Sequence, residues 1–195
     1  EPEGLGMTYR EESNHSVAQA YATRTANCLS FTLLFVALAR QADLDVAPQE
    51  IEERLAWRQA AGTLYLSNHV NAVVRIGSRR YIVDVAGDNV IARDAPAPIS
   101  DERLMSHYYN NLAVQRLEQG GHVAALALAD TALALAPGYA SHWSNAGVLH
   151  LRNGDIASAE RAYARALALD PRNANALFNV ASLAQRTGGL SPVVG

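Results

Sequence analysis

A single cysteine, Cys28, is all the thiol chemistry the 195-residue chain holds. An internal disulfide is thereby excluded, as is every zinc site built from several cysteines. Charge is sparse as well. Charged residues make up 18% of the chain, the formal balance is −3 from 16 Lys and Arg against 19 Asp and Glu, and no basic stripe is present. Nucleic acid is therefore not an expected partner. Long hydrophobic runs are missing too: the longest, Leu29 to Ala39, contains Ser30 and Thr32 and falls well short of the roughly 20 residues a membrane-spanning helix needs. It reads as a buried helix. His15, His107, His122, His142 and His150 share no spacing with other metal-ligating residues and no calcium-loop pattern is visible, so no metal or organic cofactor is expected and these histidines read as surface or packing residues. The chain starts at Glu1 rather than Met, which suggests that a preceding segment was processed off or left out.

What is present is a chain with core formers to spare, 49% hydrophobic, which rules out disorder as the whole account. Its texture changes between Asp88 and Asp101, where Ala95-Pro96-Ala97-Pro98 interrupts any regular element. Beyond this point a period of 34 residues emerges. Pro137 and Pro171 are one period apart, as are Gly120, Gly154 and Gly188, Ala125 and Ala159, Ala132 and Ala166, and Tyr109 and Trp143. A bulky residue in one helix fills the gap left by alanines in the next, glycine breaks the turn, and proline ends the second helix. These positions resemble the tetratricopeptide repeat, with departures at Arg116 and His150, where the family carries larger apolar residues. The resemblance implies repeats over residues 106–139 and 140–173 and a partial third from 174 that stops after its first helix.

The first half is organised differently. Residues from about Ser16 to Arg24 suggest a short amphipathic helix, and Asn27 is placed to cap a longer one opening at Cys28. Valine- and isoleucine-rich stretches at His69 to Ile76 and Tyr81 to Ala86, separated by Gly77-Ser78-Arg79-Arg80, mark a hairpin. A cysteine in the first helical turn faces unpaired backbone amides and the positive end of the helix dipole, both of which favour a thiolate. In the hairpin, a two-residue turn at Gly77-Ser78 pairs Ile76 with Arg79 and sets Asn71 opposite Asp84. His69 and Asp84 become diagonal neighbours on one face, roughly 7 to 8 Å apart at the backbone and within side-chain reach. A one-residue slip would put them on opposite faces, with Asp88 as the fallback orienter.

A nucleophilic cysteine, a histidine base and an orienting aspartate make an acyl-transfer triad. Asn27-Cys28-Leu29-Ser30-Phe31, Asn68-His69-Val70-Asn71 and Tyr81-Ile82-Val83-Asp84, in that order, resemble the transglutaminase-like superfamily, whose core is related to papain-type cysteine proteases. The resemblance implies Cys28 as nucleophile, His69 as base and then acid, and Asp84 as orienter, with the Cys28 amide as one oxyanion donor. Asn27, Trp57 and Asn68 are candidates for the second donor or the cleft. The segment between helix and hairpin is short for this family. In the repeats, Asn111, Asn145 and Asn179 recur at one position of successive first helices, where side-chain amides can hold an extended peptide.

The expected architecture is α+β: an N-terminal segment 1–15, a small transglutaminase-like domain 16–92 with its buried helix on a short antiparallel sheet, a linker 93–100, and an all-α repeat array 101–195. The expected activity is that of a cysteine-dependent peptidase or amidase acting on a protein or peptide held by the repeats, with hydrolysis favoured over crosslinking. The alternative is a non-catalytic repeat scaffold with a degenerate transglutaminase-like fold. This pairing of domains is similar to a group of bacterial transglutaminase-like repeat proteins, many exported or lipid-anchored, which implies a periplasmic or envelope location.

Overall fold

The computed structural model describes residues 5–51, 57–60, 63–66, 69–85 and 96–186, with backbone alone for 57–60 and 63–66. The chain is mixed helix and sheet and divides into two compact units, Glu1–Leu55 with Ser67–Tyr108, and Ala56–Leu66 with Tyr109–Gly195.

In the first unit, Ser16 caps α1 (Val17–Thr23) through a capping box with Gln19. The short parallel pair β1 (Thr8–Tyr9) and β2 (Thr25–Ala26) follows. Helix α2 (Cys28–Gln41) starts where Asn27 Oδ1 accepts the Ser30 amide at 2.8 Å. Strands β3 (Asp45–Ile51), β6 (His69–Ile76), β7 (Arg79–Val83) and β8 (Ala97–Pro98) form an antiparallel sheet in the order β7-β6-β3-β8. Gly77, at φ 60°, supplies the left-handed first position of the β6–β7 turn. Ile76 therefore pairs with Arg79 and Ala72 with Val83.

One sheet face carries Val46, Ala72 and Val74 against Val36 and Ala39 of α2, with Val83 packed alongside. Nearer the start of α2, Leu29 and Val70 pack with Leu104 of α3 (Asp101–Glu118), joined by Cys28 and Leu33. Two ionic contacts tie the start of α3 to this unit, and their surroundings separate their worth. Arg40 reaches Asp101 at 2.6 and 2.9 Å, but both side chains are about half exposed, so the pair stabilises by at most about 1 kcal/mol. Glu50 on β3 is 1% exposed and accepts from Arg103 at 3.1 Å, with His107 Nε2 at 3.3 Å. Breaking that second cluster strands a buried charge.

The second unit holds the hairpin β4 (Trp57–Ala60) and β5 (Thr63–Leu66), the remainder of α3, and helices α4 (His122–Leu135), α5 (Ala140–Arg152), α6 (Ile156–Leu169) and α7 (Ala174–Arg186). Its core is alanine fitted against bulk: Ala113, Ala125 and Ala129 with Leu149, and Ala159 with Val148, Tyr163 and Leu183. Gly147 is required by this packing, since a Cβ there would run into the Tyr163 ring. Asp155 and Asn173 cap α6 and α7 through the Ser158 and Ala176 amides, each at 3.0 Å.

Three features depart from the sequence reading. Part of the 93–100 linker is an edge strand, because Ala97 and Pro98 pair with Glu50 and Gln49, an arrangement proline permits at a sheet edge. The N-terminal segment contributes β1. Residues 57–66 belong with the repeat helices, β5 adjoining α5 and α7. Of the histidines read as surface or packing residues, His107 and His142 are packed inside, His107 beside Glu50.

Candidate active site

Cys28, His69 and Asp84 all lie in the first unit. Cys28 is the first residue of α2 and is half-buried. As the first two residues of the helix, Cys28 and Leu29 have backbone amides with no intrahelical acceptor, while the Ser30 amide is taken by Asn27. The start of α2 is held from two sides. Ser30 Oγ donates to the His15 carbonyl at 2.9 Å, lies 3.1 Å from that of Ser13, and accepts the His15 amide at 2.7 Å. Thr32 Oγ1 donates to the Cys28 carbonyl at 2.8 Å and lies 3.2 Å from that of Val70. This second contact links the cysteine's own turn to β6, one residue from His69.

His69 opens β6 opposite Ile51 and is 0% exposed. Asp84, 10% exposed, follows the last residue of β7 and accepts from His69 Nε2 at 2.5 Å. In the neutral imidazole this bond keeps the proton on Nε2 and leaves Nδ1 as the basic nitrogen. Nδ1 is buried and makes no formed hydrogen bond. Burial of the ring opposes its charged form, but the bond to Asp84 and the nearness of Cys28, with the negative charge of both groups, outweigh it and raise the His69 pKa from 6.5 to about 9. Cys28 is therefore close enough to act on the ring.

A raised pKa in the fold has a consequence for stability. The His69 contribution is fully present below about pH 6.5 and is lost as pH rises through about 9, up to about 3 kcal/mol in all. Thermal unfolding across that window is expected to show declining stability in the wild type and a flattened profile in His69→Gln.

The other expected site residues fall less neatly together. Asn27 serves as the cap of α2, and its Nδ2 lies 3.5 Å from the Glu11 carbonyl. Trp57 is in β4, described by its backbone only, and Asn68 and Asp88 lie outside the described residues. In the repeats, Asn145 on α5 and Asn179 on α7 are buried, whereas Asn111 is half-buried. The bond across helices joins Asn145 Nδ2 to Asn110 Oδ1 at 3.1 Å, one residue off the 34-residue period.

The family model for the tetratricopeptide repeat matches residues 143–173. That stretch covers α5 from Trp143 onward, all of α6 and the turn leading to α7, and in it Gly147 and Tyr163 meet as described. No curated protein matches the chain. Among the described residues no helix is long and apolar enough to cross a membrane, and no cluster of three His, Cys, Asp or Glu could hold a metal ion.

Three polar residues near Cys28, His69 and Asp84 escaped the sequence reading. Asn71 donates to Asp84 Oδ2 at 3.1 Å. Gln49, opposite Asn71, is buried with both amide atoms unpartnered. Ser30 anchors the N-terminal segment. The signal for Asn71 was present, because it lies two residues beyond His69 and hence on the same strand face.

Proposed function

We propose that the chain is a cysteine-dependent acyl-transfer enzyme of the transglutaminase-like, papain-related kind, acting as a peptidase or amidase on a protein or peptide partner. The observation that carries this reading is the buried His69, bonded to Asp84 through one ring nitrogen and influenced by Cys28 at the start of α2. Groups with strongly displaced pKa values gather at functional sites, and this His-Asp pair stands beside a cysteine in the first turn of a helix.

The geometry supports an acyl transfer through a thioester. With the Cys28 proton resting on His69 Nδ1 as an ion pair, the sulfur attacks the substrate carbonyl carbon. The C–N bond then breaks as the imidazolium returns the proton to the departing amine. Water, deprotonated by His69, attacks the thioester, the C–S bond breaks, and the ion pair of Cys28 and His69 is restored as the acid product leaves. Asp84 holds the ring and stabilises its charged form. The Cys28 amide is a donor toward the oxyanion. The repeat unit supplies the partner-binding surface, since a stack of such helices offers side chains along an extended face.

The repeat match favours a second reading, a scaffold in which the first unit binds without catalysis. An activated acyl ester separates the two. With p-nitrophenyl acetate, the enzyme reading expects a burst of nitrophenol and an acetyl group on Cys28 by intact-mass spectrometry, both absent in Cys28→Ser. The scaffold reading expects neither in the wild type.

A further inference from the structure

We infer that Asn71 is a positioning residue of the site, acting on His69 through Asp84; the inference rests on the acyl-transfer reading. The register of β6 and β7 pairs Ala72 with Val83, so Asn71 lies opposite Asp84, and His69 lies two residues away on the same face. A single carboxylate oxygen, Asp84 Oδ2, accepts from both His69 Nε2 at 2.5 Å and Asn71 Nδ2 at 3.1 Å.

A carboxylate accepts only, so the Asn71 amide must present its nitrogen to Asp84. Its Oδ1 is buried without a partner, and Gln49, with its own free Nε2, is the residue directly across on β3. Asn71 is 3% exposed and His69 is fully buried, so water does not compete well for either bond, and each is stronger than at a surface. Two donors on one oxygen fix the plane of the carboxylate. With Asn71 removed, Asp84 keeps its charge but loses one of the restraints that aim it at Nε2, and His69 can then turn its basic nitrogen away from Cys28. Asn71 touches neither substrate nor sulfur in this account.

A double-mutant cycle on the full chain distinguishes positioning from ordinary packing. The readout is the rate of Cys28 modification by methyl methanethiosulfonate at about pH 6, where an unassisted thiol is largely protonated. Variants are compared only when their circular dichroism matches wild type. Asn71→Leu, similar in size and without a donor, is expected to slow the reaction about 10- to 100-fold, the range for losing a hydrogen bond to a charged group. In an Asp84→Ala background the same change is expected to cost less than about twofold, because nothing is left to position. Asn71→Asp, a second size-matched variant that repels Asp84, should lose at least as much in the first background and as little in the second. Equal losses in both backgrounds, or wild-type rates in Asn71→Leu and Asn71→Asp, would overturn the inference while leaving the triad intact. A wild-type Cys28 no faster than free cysteine would instead overturn the acyl-transfer reading, and the inference with it.

Discussion

Replacing His69 by alanine is expected to slow alkylation of Cys28 by iodoacetamide about 100-fold at pH 6, and by only a few-fold at pH 9. An unassisted thiol with a pKa of about 8.5 is under one per cent ionised at pH 6, so nearly all its reactivity there depends on a neighbouring positive charge. His69 supplies that charge across the physiological range, because its pKa stands at about 9. Above that value the imidazole is neutral and an ordinary thiol is itself ionised, so the advantage closes. The measurement is a set of second-order rates from pH 5 to 9, with carboxamidomethylated Cys28 quantified by mass spectrometry. A flat ratio of wild type to His69→Ala across pH would show that His69 shapes access to Cys28 rather than its charge.

Replacing Glu50 by alanine is expected to destabilise the first unit by about 3 to 5 kcal/mol, the cost of removing one partner from a buried ion pair. Glu50 is almost wholly buried between Arg103 and His107, which belong to the start of α3. Alanine would leave a hole at its place in the sheet and a guanidinium only a quarter exposed with its ionic partner gone. Arg40→Ala serves as the comparison, because its salt bridge with Asp101 is exposed and its loss should cost under about 1 kcal/mol. Amide hydrogen exchange in β3 and β6 reads the effect in this unit alone. Faster exchange in Glu50→Ala than in Arg40→Ala is the expected result, and equal rates would mean that the buried cluster contributes no more than the surface pair.

The elements most legible in the sequence are those whose cause is local. Asn27 precedes an apolar run with no β-branched stretch, and α2 opens at Cys28 with that asparagine as its cap. Gly77 sits between two β-rich segments, and its left-handed backbone produces the pairing of Ile76 with Arg79. The 34-residue period was legible because each repeat must present the same small residues to its neighbours, as the buried pairs Ala125 and Ala159, and Ala132 and Ala166, do. Strand β3 was not legible. Its Asp45-Val46-Ala47-Pro48-Gln49-Glu50-Ile51 has no alternation of apolar and polar residues, and it is a strand because β6 on one side and β8 on the other complete its hydrogen bonds. The hairpin β4–β5 carried no strong turn signal either, and its place beside α5 and α7 rests on contacts more than 70 residues away in sequence.

By itself, then, the sequence determined where the helices and the β6–β7 hairpin form, the spacing of the repeats, and which face of that hairpin carries His69 and Asp84. Caps, glycine turns and side-chain periodicity act within a few residues and survive any arrangement of the rest. Only the tertiary structure decided that β6 lies against the start of α2, so that Cys28 reaches the His69 environment, that Asn71 shares the oxygen of Asp84, and that Glu50 finds Arg103 and His107. Each of these pairs polar groups from separate elements in a buried place, and their energy comes from desolvation and charge. Those terms exist only once the chain has closed around them.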